Sequence, residues 1–249
     1  MNARFHLKPM EYIGAPDSKQ QFNRDLFTTV APKYNLVTKL LSFGRDRTWK
    51  RRMIAYLPPF EAPVCVDLAC GTGDITRMLA ERYPDGKITG LDLTPEMLDI
   101  ADRRTDAFNI SYVEGSMAEL PFATNSTHVV TGGYALRNAP DLDQTIDEIA
   151  RILRPGAFAA FLDFSKPANK AGQAIARFLL KGWGGLWGLL LHGNPDVYGY
   201  IADSLKLFPD RTVLRERFAK RGFTLHASHR FFGGLLEAVV FKKEEPHGD

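Results

Sequence analysis

The sequence predicts an α/β protein: a doubly wound, mostly parallel seven-stranded sheet ending in an antiparallel hairpin, with helical N-terminal and lid additions. Three observations carry this. Five apolar, β-type runs (64–69, 87–93, 110–115, 127–133 and 158–164) alternate with helical stretches at βαβ spacing. Two further runs, 223–232 and 236–243, are separated by little more than Gly233-Gly234, too short for a crossover, so they must pair as a hairpin. The first run also passes directly into a glycine turn and a helix, where this architecture binds its ligands.

Taken in order, residues 1–55 read as helices rich in aromatic and basic side chains. The strand at 64–69 follows, then the turn Gly71–Gly73 and a helix. After the second strand, Thr94-Pro95-Glu96-Met97 looks like a helix cap followed by proline in the first turn. Arg154-Pro155-Gly156 marks a helix stop before the fifth strand. Residues 168–210 then interrupt the alternation, and a long insertion near the carboxyl edge of a sheet usually covers the site. The tail 244–249 is expected to fray. There is no internal repeat.

Composition (45% hydrophobic, 24% charged) is that of a globular protein with a full core. The net charge of +3 does not suggest nucleic acid, and no Asn-Pro-Pro-Tyr-like or Pro-Cys motif follows the fourth strand. The charge is unevenly spread: residues 1–55 hold eleven Lys/Arg against four Asp/Glu. Such a lobe could face an anionic membrane or be a solvated helical face. The two cysteines, Cys65 and Cys70, have no partners at zinc spacing, which leaves no metal site and a reduced, cytoplasmic setting as the expectation. The first ten residues lack the apolar core of a secretory signal. The longest apolar stretch, Phe178–Leu191, is interrupted by Lys181 and four glycines, and suits an interfacial or lid segment better than a membrane span.

The most informative segment is Val66–Asp74, VDLACGTGD. A glycine turn lets a ligand lie on bare backbone at the end of a strand. Asp67 and Asp74 would repel a pyrophosphate, and Thr76 stands where a dinucleotide fingerprint has its third glycine. A cationic cofactor fits, and S-adenosylmethionine carries both a sulfonium and an ammonium group. Asp92 closes the second strand, where an acid can bind both ribose hydroxyls. The third strand runs into Ser116-Met117, where the serine could hydrogen-bond the adenine edge and the methionine pack on its face. The expected cofactor set is therefore Asp67, Ala69, Gly71, Thr72, Gly73, Asp74, Asp92, Leu93, Ser116 and Met117.

With these residues in place, the chain resembles the quinone C-methyltransferases of the ubiquinone and menaquinone pathways, the UbiE/Coq5/MenG group of class I methyltransferases. The matching stretches are 27–50, 66–74, 90–98, YALRNAPD (134–141), LRPGAFAAFLDFSKP (153–167) and YGYIADSLKLFPD (198–210). The resemblance implies methyl transfer from S-adenosylmethionine to a ring carbon of a prenylated hydroquinone such as demethylmenaquinol or a ubiquinol precursor. It also implies one domain: a cap (1–55), a cofactor-binding core (60–167), a lid (168–210) and a terminal helix and hairpin (211–249). Ser116 and Asn35 stand where the group has aspartates, His128 replaces an acid before the fourth strand, and Ala157 replaces a glycine. The stretch 181–194 is unusually rich in Trp and Gly.

Methylating an aromatic carbon requires a hydroxyl with a pKa of about 10 to ionise and push charge onto the ring. The enzyme must hold that phenolate, align the reacting atoms and take up a proton. Arg137 and Asn138 follow the fourth strand and are the candidate pair. Arginine is too basic to act as the base, but could hold the anion or orient a water. Arg137 could instead clamp its loop through a carboxylate such as Asp141. Tyr34 matches a group position near the acceptor, and could equally anchor two helices. His192 is a further candidate base at the end of the lid. Trp183, Trp187, Tyr198, Tyr200 and Phe208 could line a prenyl cavity or pack the lid. The partners expected are a lipophilic quinol and no nucleic acid, with possible peripheral membrane contact through residues 178–191 and the basic lobe, and possible homodimerisation. Two alternatives stay open: a methyltransferase of another lipophilic acceptor, such as a phospholipid amine or secondary-metabolite phenol, and a non-catalytic S-adenosylmethionine-binding module.

Overall fold

The computed structural model describes residues 16–167 and 169–245. The expectations for the extreme N-terminus and the end of the tail lie outside the described residues. Seven strands form one sheet: β1 (Val64–Leu68), β2 (Lys87–Asp92), β3 (Ile110–Glu114), β4 (Thr127–Gly133), β5 (Leu153–Phe164), β6 (Phe223–Phe231) and β7 (Leu236–Lys243). Their order is β3-β2-β1-β4-β5-β7-β6. Neighbours among the first five are parallel, and β7 runs antiparallel to both β5 and β6. The strand order reverses between β1 and β4, which opens a crevice at their carboxyl ends.

Central strands buried on both faces read as apolar runs, and alternate residues feed two cores. Val66, Leu68, Ala159 and Phe161 pack toward helices α6 (Leu142–Ile152) and α9 (Arg211–Ala219). Cys65, Phe158, Ala160 and Leu162 pack toward α3 (Asp46–Ala55) and α4 (Asp74–Arg82). A third core lies over the carboxyl edge. There Phe22, Leu26 and Val30 of α1 (Pro16–Val30) and Val37 of α2 (Tyr34–Leu41) meet Met97 of α5 (Pro95–Arg103) and Tyr198 and Tyr200 of α8 (Asp196–Leu207).

Two boundaries differ from expectation. β5 starts at Leu153, five residues early, because Arg154–Ala157 bulge out through Gly156 (φ 77°) between the pairs Thr127↔Leu153 and Val129↔Phe158. The fourteen-residue apolar stretch lies inside a single 23-residue helix, α7 (Lys170–His192). Among the described residues it alone is long and apolar enough to cross a membrane by length and composition. Its glycines serve packing rather than breaking the helix. A Cβ at Gly184 or Gly188 would stand 2.7 Å from the Tyr198 carbonyl or 2.6 Å from that of Asn194, so α7 lies along α8 backbone to backbone. Asn169 caps its start through Gly172 N–H (2.6 Å), and left-handed Gly193 ends it.

Candidate functional site

A cavity of about 740 Å³ occupies the carboxyl edge of the sheet beneath the α1–α2 and α7–α8 helices. Its floor is made by the strand ends: Ala69 and Gly71 after β1, Asp92–Thr94 at the end of β2, Gly115–Met117 after β3, and Tyr134, Arg137 and Asn138 after β4. Ala69 (φ 48°) and Tyr134 (φ 59°) hold left-handed backbone that is costly for side-chain-bearing residues, on adjacent strand ends.

In the glycine turn, Gly71 (φ 54°) presents bare backbone to the cavity. A Cβ there would meet the Tyr34 ring at 3.6 Å. Gly73 (φ 76°) does not line this cavity; it lets α4 start beneath the Tyr112 ring, whose Cζ would stand 3.2 Å from an added Cβ. Thr72 is held by its neighbours, donating to Asn35 Oδ1 (2.7 Å) and accepting from Arg104 (2.8 Å). Asn35 thus accepts from Thr72 where the related group has an aspartate.

Thr72, Asp67 and Asp74 face a smaller recess shared with Tyr34, Lys50 and Tyr134. Asp74 is ion-paired with Lys50 (3.2 Å), Arg77 (2.7 Å) and Arg104 (3.1 Å). Burial pushes its pKa up, but these cations outweigh it and hold the carboxyl below its ordinary value. Asp67 has no ion-pair partner among the described residues. Its oxygens accept from the hydroxyls of Thr76 and Thr131, each at 2.8 Å. Burial raises its pKa to about 6 against those two hydrogen bonds. Asp92 is similar: Oδ2 accepts from Gly71 N–H (2.8 Å), Oδ1 from Thr94 N–H (2.9 Å), and burial raises its pKa. Ser116 Oγ bonds Gln20 of α1 (3.1 Å) and accepts from Ala118 N–H (3.2 Å). Arg24 of α1 covers the Leu93 carbonyl (3.2 Å).

On the other side, Arg137 is buried over the rings of Tyr200 (5.2 Å) and Phe164 (5.4 Å). Its carboxylate partner is Asp163 at the end of β5, which accepts the Arg137 backbone N–H at 3.0 Å and lies 3.8 Å from Nε. Asp141 instead caps α6 through Gln144 N–H (3.0 Å). A guanidinium nitrogen donates to Ser204, while buried Nε has no hydrogen-bond partner. Asn138 donates Nδ2–H to the Tyr134 carbonyl (2.9 Å) and accepts from the Tyr200 hydroxyl (2.7 Å). Tyr34 reaches both cavity and recess, and burial lifts its phenol to about 12. Trp183, Tyr198 and Tyr200 line the cavity; Trp187 and Phe208 do not. His192 bonds the Tyr198 hydroxyl at the rim (2.8 Å), while His128 sits at the opposite end of the sheet and accepts from Val64 N–H (3.0 Å). The two cysteines are free, and burial raises both thiols.

The sequence reading did not single out several residues. Lys19 and Asn23 of α1 donate to the carbonyls of Ala139 (2.5 Å) and Asn138 (2.7 Å), pinning the β4 loop. Burial lowers the Lys19 pKa to about 8. Tyr134 donates to Asp46 (2.7 Å), which pairs with buried Lys50 (2.5 Å). Asp163 could have been found as an acid at a strand's carboxyl end, and Asp46–Lys50 as an i,i+4 pair. The burial of that pair has no local signal.

The ubiE/COQ5 methyltransferase family matches residues 16–241. The 2-phytyl-1,4-naphtoquinone methyltransferase of Thermosynechococcus vestitus is 34% identical over 221 residues, covering 88% of this chain and 97% of that protein. The demethylmenaquinone methyltransferase of Thermus thermophilus is 33% identical over 210 residues, covering 84% and 96%. Among solved structures, a chain of the complex between the Haloferax volcanii Trm112 methyltransferase activator and a methyltransferase superposes with a TM-score of 0.66. It is 19% identical and covers 88% of this chain and 98% of its own. A SAM-dependent methyltransferase from Aquifex aeolicus gives a TM-score of 0.56 at 13% identity, covering 78% and 88%. At these identities the structures establish a shared fold.

Proposed function

Because the chain belongs to the ubiE/COQ5 methyltransferase family, we propose that it transfers the methyl group of S-adenosylmethionine to a ring carbon of a prenylated hydroquinone in quinone biosynthesis. It is an S-adenosylmethionine-dependent methyltransferase. The relatives' names favour a naphthohydroquinone nucleus over a benzohydroquinone. The observation that carries the reading is one cavity running from the bare Gly71 turn, past Arg137–Asn138, into an apolar chamber.

The residues fit the donor. The cavity is large enough for a cofactor and an acceptor ring, within the roughly 300–1,000 Å³ of small-molecule sites. Asp67 and Asp92 are buried, and neither forms an ion pair among the described residues. When bound, S-adenosylmethionine supplies an electrophilic methyl on a sulfonium. We assign Asp92 to the ribose hydroxyls, Leu93, Ser116 and Met117 to the adenine, and Ala69 and Gly71 to the methionyl backbone. Asp67 acts on the ligand's positive charge from below, and Thr72, Gly73 and Asp74 hold the turn in place.

Arg137 stabilises the substrate phenolate: it stays charged, is buried, and has an unsatisfied Nε–H. Asn138 keeps a second Nδ2–H for the same oxygen. Tyr34, protonated at neutral pH, donates to the ring from the other side. Apolar walls including Trp49 and Phe164 exclude water from the ring. We read the chain as one domain in which residues 1–55 cap the core of 60–167, residues 168–210 form the lid and residues 211–249 complete the sheet. Membrane contact through residues 178–191 and the basic lobe belongs to this reading, and homodimerisation is compatible with it.

The test is incubation with S-adenosylmethionine and short-chain naphtho- and benzohydroquinols, followed by mass analysis. Gain of one methyl on the ring is expected with the naphthohydroquinol. No gain on any hydroquinol would overturn the quinone reading and leave another lipophilic acceptor.

A further inference from the structure

Helix α7 leaves an apolar face uncovered. Ile175, Phe178, Leu179, Leu186, Leu189 and Leu190 recur at helical spacing, and all are exposed, Phe178 at 78% and Leu190 at 63%. The opposite side of the helix packs against α8 through Gly184 and Gly188. This face is continuous with the cavity. Ile175 (60% exposed) and Leu179 line the cavity and also reach solvent, as does Phe43 (64%) in the turn after α2, which stacks on Trp183 at 5.1 Å. The chamber beside Arg137 therefore opens onto the uncovered helix.

The charges around this opening have one sign. No Asp or Glu occurs in residues 26–45 or 164–195, the two segments that meet there. They contribute Lys33, Lys39, Arg45, Lys166, Lys170, Arg177 and Lys181, none ion-paired to another described residue. On the α7 wheel, Lys170, Arg177 and Lys181 form a single row on the stripe that Gly184 and Gly188 continue, so the row flanks the apolar face only at its Phe178 edge. Two copies of such a face would bring like charges together. An anionic bilayer complements the apolar stripe and the unpaired cations of these two segments.

We propose that α7 lies in the surface of an anionic membrane, with the cavity mouth between Phe43 and Leu179 opening into the lipid. The acceptor then enters ring-first from the bilayer and its prenyl tail stays there. This deepens the quinol reading and rests on it for the identity of the acceptor.

The test uses the full chain and its variant Phe178→Glu/Leu190→Glu, neither position lining the cavity. Each is mixed with vesicles of phosphatidylcholine alone or with about a third phosphatidylserine. Each is also assayed on a water-soluble short-chain naphthohydroquinol and on a long-tailed one embedded in vesicles. The wild type is expected to sediment with the anionic vesicles, less with neutral ones, and to be released by salt. The variant should lose binding and about tenfold or more of its long-tail activity while its short-chain activity is unchanged. The proposal is overturned if the wild type stays in the supernatant, or if the variant turns over both substrates as the wild type does. It is also overturned if the wild type is a dimer that the variant dissociates and neither binds vesicles. Vesicle binding lost in the variant, with neither quinol methylated by the wild type, would support the docking face and refute the quinol assignment.

Discussion

Asp67→Asn should make the unliganded protein more stable at neutral pH and a weaker binder of its cofactor. Asp67 is 1% exposed and held by two threonine hydroxyls, with its carboxyl lifted from 3.8 to about 6. At pH 7.5 the folded state must therefore hold a charge in a site that disfavours it, worth up to about 3 kcal/mol. Because the folded pKa lies above the unfolded one, the stability of the protonated form is complete below about 3.8. It is lost as pH rises through about 6. Asparagine mimics the protonated carboxyl in shape, but one threonine must turn from donor to acceptor, which costs about 1 kcal/mol. A net gain of about 1–2 kcal/mol remains, or a Tm rise of roughly 2–8 °C for a chain of this size. The advantage should shrink below pH 6 and vanish near pH 4, and S-adenosylmethionine affinity should fall about tenfold at pH 7.5. Thermal unfolding of both proteins from pH 4 to 8 without ligand, with calorimetric titration of S-adenosylmethionine, measures each quantity. An equal Tm gain at pH 4 and pH 7.5, or unchanged cofactor affinity, would refute the reasoning.

Arg137→Lys keeps a cation beside Asp163 but loses the fork that reaches Ser204, so kcat should fall about 100- to 1,000-fold while cofactor affinity changes little; a parallel loss of affinity in calorimetry would argue for a purely structural arginine. Lysine is the better probe than alanine, because alanine would strand the buried Asp163 at a cost of about 3–5 kcal/mol. The two turn glycines should separate by assay. Gly73→Ala forces a Cβ against Tyr112 at φ 76° and should cost about 1–3 kcal/mol in thermal unfolding. Gly71→Ala meets Tyr34 only at 3.6 Å but enters the cavity, so its larger effect should be on cofactor titration.

The sheet was legible because its information is local. The buried apolar runs of β1, β4, β5 and β7 follow from residues a few positions apart, and the parallel or antiparallel sense of the strands follows from connection lengths. The early start of β5 was missed because a proline-glycine bulge still pairs at its first residue. The length of α7 was missed because its glycines look like breakers until α8 supplies the backbone they pack against. The placement of the candidate residues was legible for the same local reason: Asp92 closes β2, and Ser116 and Arg137 lie in the loops just after β3 and β4.

What the sequence could not reveal was which charges are already answered. Asp67 and Asp74 read alike from the turn, as two acids awaiting a cation. In the fold, Asp74 meets Lys50, Arg77 and Arg104, two of them 24 and 30 residues away. Asp67 is held by the Thr76 and Thr131 hydroxyls with Lys50 acting on it without an ion pair, and Asp92 by the backbone N–H groups of Gly71 and Thr94 and the Thr94 side chain. The acids left without an ion pair among the described residues are therefore Asp67 near the end of β1 and Asp92 at the end of β2, both with raised pKa values and both flanking the crevice where the strand order reverses. Burial of uncompensated carboxylates destabilises the empty fold, and a ligand bringing positive charge would relieve it. Selectivity for a sulfonium over a phosphate then follows from which aspartates the fold leaves without an ion pair, since Lys50 is spent on Asp46 and Asp74.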